Sequence, residues 1–77
     1  MTYEEINIGD ILIASPDDKT YRYKVTRKND RSRNVTVYIV EEYDSNLRCH
    51  IPYTSYGTYT VPAEDFCMKI RRKAVVL

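Results

Sequence analysis

The chain contains no tryptophan and no glutamine, and only two glycines, two cysteines and one histidine. Each scarcity excludes something. With Gly9 and Gly57 as its only glycines, the chain has no glycine-rich loop to cradle a phosphate on backbone amides. Cys49, His50 and Cys67 offer at most three soft metal ligands. Neighbours on a strand point to opposite faces, so Cys49 and His50 suit neither a shared ion nor a nucleophile–base pair. No metal and no cofactor are expected. The carboxylate pairs Glu4-Glu5, Asp17-Asp18, Glu41-Glu42 and Glu64-Asp65 are sequence neighbours, mostly at turns or ends. They read as solvated charge rather than an acid–base pair, and no enzyme is expected. No apolar run approaches the ~20 residues of a membrane helix. The start Met1-Thr2-Tyr3-Glu4-Glu5 lacks the basic and apolar regions of an export signal. A cytoplasmic protein with two reduced, buried thiols is the expectation, with no membrane partner.

The 77 residues suit one small domain, 1–77. Strong helix formers are short: three leucines, three alanines and no glutamine. Strand formers are abundant, with eight tyrosines and seven each of isoleucine, valine and threonine.

Alternation sets out the strands. Thr2-x-x-Glu5 has the form of a capping box for one helical turn. Gly9-Asp10 is a turn, and Ile11–Ala14 reads as a short buried strand. Ser15–Lys19 is a loop with Pro16 placed for a turn. From Thr20 to Lys28, Tyr21, Tyr23 and Val25 share one face, while Arg22, Lys24 and Thr26 share the other. Asn29–Arg33 is a polar turn. Asn34–Tyr43 is the longest strand, apolar at Val35, Val37 and Ile39.

Asp44-Ser45-Asn46 reads as a three-residue hairpin loop, with Asn46 in the left-handed conformation. Leu47–Tyr53 then returns. That loop pairs Tyr43 with Leu47, Glu41 with Cys49, Ile39 with Ile51 and Val37 with Tyr53. It also sets Glu42 against Arg48 on the opposite face. Thr58–Val61 is a short strand showing Tyr59 and Val61 to one side. Pro62–Phe66 is one tight helical turn, with Pro at its start and carboxylates following. Cys67–Ile70 is the last strand.

Five or six short strands joined by turns read as an all-β domain, a small antiparallel barrel. Three features carry a resemblance: Gly9-Asp10 opening the first strand, the central meander, and the helical turn before Phe66. Across roughly residues 8–70 the layout resembles the SH3-like small β-barrels, including Tudor and KOW-type modules. The resemblance implies a closed barrel and a binding module, and KOW-like members commonly bind RNA.

Charge is distributed in blocks although the net is only +1. Residues 1–18 carry −5, residues 19–33 carry +6, residues 34–65 carry −4 and residues 66–77 carry +4. The first basic block places Arg22, Lys24, Arg27, Lys28, Arg31 and Arg33 on one strand and the turn after it. Such a hairpin suits backbone phosphates, and Tyr38, Tyr56 and Tyr59 are candidate stacking or partner contacts. One expectation is therefore a nucleic-acid-binding module. The alternative is a protein-interaction module, a small regulator or inhibitor of phage or mobile-element type that docks on a larger protein. The apolar Ala74–Leu77 segment reads as a strand that pairs back to complete the barrel, or alternatively adds to a partner chain or to a second copy in a homodimer. Two outcomes separate the readings. Convergence of Arg22, Lys24, Arg27, Arg31, Arg33 and the basic run Arg71–Lys73 on one face with two exposed tyrosines favours nucleic acid. Interleaved acids and bases, or an exposed apolar patch around Tyr56, Tyr59 and Leu77, favour a protein partner.

Overall fold

The computed structural model describes residues 1–53 and 57–70. The expectations placed on Tyr56, the basic run from Arg71 and the Ala74–Leu77 segment lie outside these residues. A 3-10 turn, Tyr3–Glu5, precedes six strands: β1 (Ile11–Ile13), β2 (Arg22–Asn29), β3 (Asn34–Asp44), β4 (Cys49–Pro52), β5 (Tyr59–Pro62) and β6 (Met68–Ile70). A second 3-10 turn, Ala63–Asp65, joins β5 to β6, where Pro62 and the two carboxylates place it. All ladders are antiparallel. They form one sheet in the order β4-β3-β2-β1-β6, with β5 pairing the first half of β3. The all-β expectation holds. Closure into a barrel does not: among the described residues no ladder joins β6 to β4 or β5.

The core lies on one face of the sheet. Leu12, Val25, Val35 and Val37 point inward from β1, β2 and β3, and Phe66 and Ala63 cover them from the β5–β6 connection. Tyr3 and Ile6 close the other end from the N-terminal turn. That turn is fixed by the Glu5 carboxylate, which accepts from the Thr2 amide at 3.0 Å and the Thr2 hydroxyl at 2.8 Å.

Two bulges set which side chains face inward. Val25 pairs with Val37 and Arg27 with Thr36, so Thr26 is an extra residue in β2. Its hydroxyl donates to the Thr36 carbonyl at 3.2 Å. Tyr23 pairs with Ile39 and Arg22 with Glu41, so Val40 is an extra residue in β3. A bulge moves every later side chain to the other face. Glu41, which strict alternation would aim inward, is turned instead to the Arg22 face.

The β3–β4 register differs from expectation. The ladder pairs Glu41 with Pro52, Glu42 with Ile51, Tyr43 with His50 and Asp44 with Cys49. The loop is four residues, Ser45–Arg48, and Arg48 rather than Asn46 takes the left-handed conformation, at φ 55. Leu47 consequently sits in the loop, 64 % exposed. The cause is the Asp44 side chain. Its Oδ1 accepts from the Asn46 amide at 2.8 Å and the Leu47 amide at 3.0 Å, holding a wider turn. The β2–β3 loop, Asp30–Arg33, repeats the device. Asn29 Oδ1 accepts from the Arg31 amide at 3.0 Å and the Ser32 amide at 3.2 Å, and Arg33 lies at φ 58. Val37, expected opposite Tyr53, pairs with Tyr59.

Both cysteines are free, and both are exposed rather than buried. Cys49 lies on the edge strand β4, and Cys67 sits just before β6, where its thiol donates to the Ile13 carbonyl at 3.4 Å.

Candidate functional site

The six cations of the basic block do not converge. Arg22 is held as a fork between two acids. Its Nη2 donates to Asp18 Oδ2 at 2.7 Å, its Nε to Asp18 Oδ1 at 3.4 Å and its Nη1 to Glu41 Oε2 at 3.2 Å. Lys28 is drawn to the N-terminal turn, its Nζ 4.1 Å from the centre of the Tyr3 ring. Arg33 lies 5.2 Å from the same ring and pairs with Glu4. The Tyr3 hydroxyl donates to Asp30 Oδ1 at 2.5 Å. That hydrogen bond, with burial second, raises the Tyr3 pKa above the ordinary tyrosine value.

Lys24, Arg27 and Arg31 have no ion pair among the described residues. Lys24 lies directly opposite Tyr38, and Arg27 opposite Thr36, on the outer face of the sheet. Arg31 is exposed in the β2–β3 loop. Tyr59 is elsewhere. It pairs with Val37, an inward residue, so Tyr38 and Tyr59 occupy opposite faces. The candidate stacking pair is therefore not a single platform.

Elsewhere acids and bases also interleave. Lys69 Nζ lies 3.4 Å from Asp10 Oδ2 and donates to the Glu5 carbonyl at 2.8 Å. His50, its side chain 7 % exposed, packs edge-on against Tyr43 and holds the Thr20 carbonyl at 2.8 Å from Nε2. A carbonyl only accepts, so Nε2 carries the proton. His50 thus ties the β1–β2 loop to β4. Among the described residues no group of three His, Cys, Asp or Glu side chains is placed to hold a metal ion.

The most distinctive surface is apolar. A groove of about 350 Å³ is lined by Val37, Ile39 and Phe66 at depth and by Tyr21, Tyr23 and Tyr59 nearer solvent. Tyrosines form a chain of edge-to-face contacts into it. Tyr53 meets Tyr21 at 5.4 Å, Tyr21 meets Tyr23 at 6.4 Å and Tyr23 meets Phe66 at 5.6 Å. Burial, and then the neighbouring Tyr21 and Tyr59, push the Tyr23 pKa up. Asp65 is the one formal charge among the described lining residues.

Sequence reasoning placed Tyr21 and Tyr23 on the inward face with Val25 but did not find the groove. The available signal was tyrosine where small cores use aliphatic residues. Asp65 was read only as a carboxylate of the helical turn.

These features define a small all-β domain with an open aromatic groove, and no helix among the described residues is long and apolar enough to cross a membrane. Comparison with protein-family models, with curated proteins and with solved structures finds no match.

Proposed function

We propose that the protein is a non-catalytic binding module that docks on a partner protein through the tyrosine-lined groove. The observation that carries this reading is the groove itself. It is continuous with the core, yet Tyr59 is 48 % and Tyr21 39 % exposed at its rim. Tyrosine is a favoured anchor at interfaces because a large apolar ring ends in a polar group. The interleaved charges support the same reading. Arg22, Arg33 and Lys69 are each paired with carboxylates of this chain, which removes them from a phosphate-binding surface. A cytoplasmic regulator or inhibitor fits the size. The strand order and the 3-10 turn before β6 support kinship with SH3-like small barrels as part of this proposal.

Peptides selected from a random display library test it by chemical-shift mapping. Perturbations are expected at Tyr21, Tyr23, Tyr59 and Val61, and Tyr59→Ala is expected to weaken binding at least tenfold. Perturbations confined to the outer face would overturn the reading.

One observation favours a second reading, nucleic-acid binding on the outer face, where Lys24 and Arg27 flank Tyr38 without acidic partners among the described residues. Fluorescence anisotropy with single-stranded oligonucleotides across a salt series tests it. Contacts from Lys24, Arg27 and Arg31 give a log–log slope of about −2. A Lys24→Glu/Arg27→Glu variant is expected to abolish that binding. No binding at low salt would remove this reading.

A further inference from the structure

We propose that the groove's ligand is an extended segment of a partner protein, added as a strand to the edge of β5 that faces away from β3, with a Lys or Arg where it passes Asp65. The proposal rests on the groove reading and names its ligand.

Among the described residues β5 is paired along one edge only. Its ladder runs to β3, from Tyr59 opposite Val37 to Pro62 opposite Asn34, and no described residue pairs its other edge. Pro62 is the last residue of the strand and has no amide to donate to a further ladder. The same proline limits an added ladder to Tyr59, Thr60 and Val61. Tyr59 and Val61 point inward and line the groove, which extends across to Ala14 and Tyr21 at the ends of β1 and β2. Thr60 points outward, its hydroxyl 3.2 Å from that of Thr36.

An added strand continues this pleat. Its alternate side chains enter the groove beside Tyr59 and Val61, and the intervening ones face away. The groove therefore selects apolar residues at positions i and i+2. Its main-chain bonds are independent of sequence, so the side chains and the charge supply the choice of partner.

The charge is one-signed. Asp65 lines the groove, the exposed Glu64 is its neighbour, and no cation lines the groove among the described residues. Neither carboxylate has an ion pair among those residues. The tyrosine ring faces add negative potential to the same space. A basic side chain at one end of the segment meets all of this at once.

The test uses the full chain and peptides selected from a random display library. The expected consensus has apolar residues two apart with a flanking Lys or Arg. Single N-methylation along a selected peptide blocks ladder hydrogen bonds without changing side chains. Methylation at alternate positions is expected to weaken binding at least tenfold, and at the positions between to leave it nearly unchanged. Asp65→Lys is expected to weaken binding about tenfold, and Glu in place of the peptide's basic residue to restore it. Indifference to N-methylation at every position, or a consensus spaced three and four apart, would overturn strand addition. Asp65→Lys without effect would overturn the charge assignment. In these cases loss of binding in Tyr59→Ala leaves the groove standing as the site. Failure to select any peptide sensitive to Tyr59→Ala removes both the strand and the groove.

Discussion

Two arginines sit in the left-handed region, Arg33 at φ 58 and Arg48 at φ 55. The conformation costs a residue with a Cβ about 1–2 kcal/mol, and glycine escapes that at an entropic cost of about 0.5–1 kcal/mol. Arg48 is exposed, with no ion pair among the described residues. Arg48→Gly is therefore expected to stabilise the protein by about 0.5 kcal/mol. Arg33 differs because it pairs with Glu4 and lies over the Tyr3 ring. Arg33→Gly gives up those contacts, and no gain is expected. Urea denaturation of the two variants checks the contrast, and equal shifts would contradict it. Residue identity alone did not reveal the difference. Glu4 and Arg33 are 29 positions apart in the chain.

At the scale of the element, side chains at the strand ends decide loop length, and loop length decides register. Asp44 holds two amides of the β3–β4 loop, as Asn29 does for the β2–β3 loop. Asp44→Ala is expected to cost about 1 kcal/mol, and Asp44→Asn, which keeps the acceptor, much less. Thermal melts of the pair check this, with equal loss in both variants as the contrary result. The hairpin was legible from alternation and from its polar turn. Its register was not, because alternation favours pairing Tyr43 with Leu47, which sets Ile39 opposite Ile51, whereas the observed ladder sets Tyr43 opposite His50 and Glu42 opposite Ile51. One Asp side chain separates the two, through hydrogen bonds that composition does not display. The bulges at Thr26 and Val40 were illegible for a related reason. Each is stabilised by its place between two strands, and neither carries the glycine that would mark it locally.

For the whole molecule, pH probes how the segments are tied. Glu5 is held below the ordinary carboxylate value by hydrogen bonds from the Thr2 amide and hydroxyl. Asp17 is lowered by the Ser15 hydroxyl and the Lys19 amide. A carboxylate depressed in the folded state contributes stability above its unfolded value of about 4, and loses it as pH falls through the folded value. Tyr3 and Tyr23 are raised. Their contribution is full below an unfolded value of about 10 and is lost as pH rises through the folded values. Tm is therefore expected to hold a plateau across neutral pH and to fall at both ends. Asp17→Asn flattens the acid limb, and Tyr3→Phe reduces the alkaline one. A Tm independent of pH from neutrality down to about 2 would contradict the Glu5 and Asp17 assignments.

Local physics in the sequence determined that this chain is all-β, the order of its strands, and that a tight helical turn follows Pro62. Strand alternation and turn chemistry act over a few residues and are readable in one dimension. Tertiary structure decided what remained. It tied Arg22 to Asp18 and Glu41, drew Lys28 and Arg33 to Tyr3, and left Lys24 and Arg27 beside Tyr38. It also gathered Tyr21, Tyr23, Tyr59 and Asp65 from three separate segments around one groove. Those outcomes depend on which distant residues meet across a bulged sheet, and a change of one residue in register reverses the face on which each side chain appears.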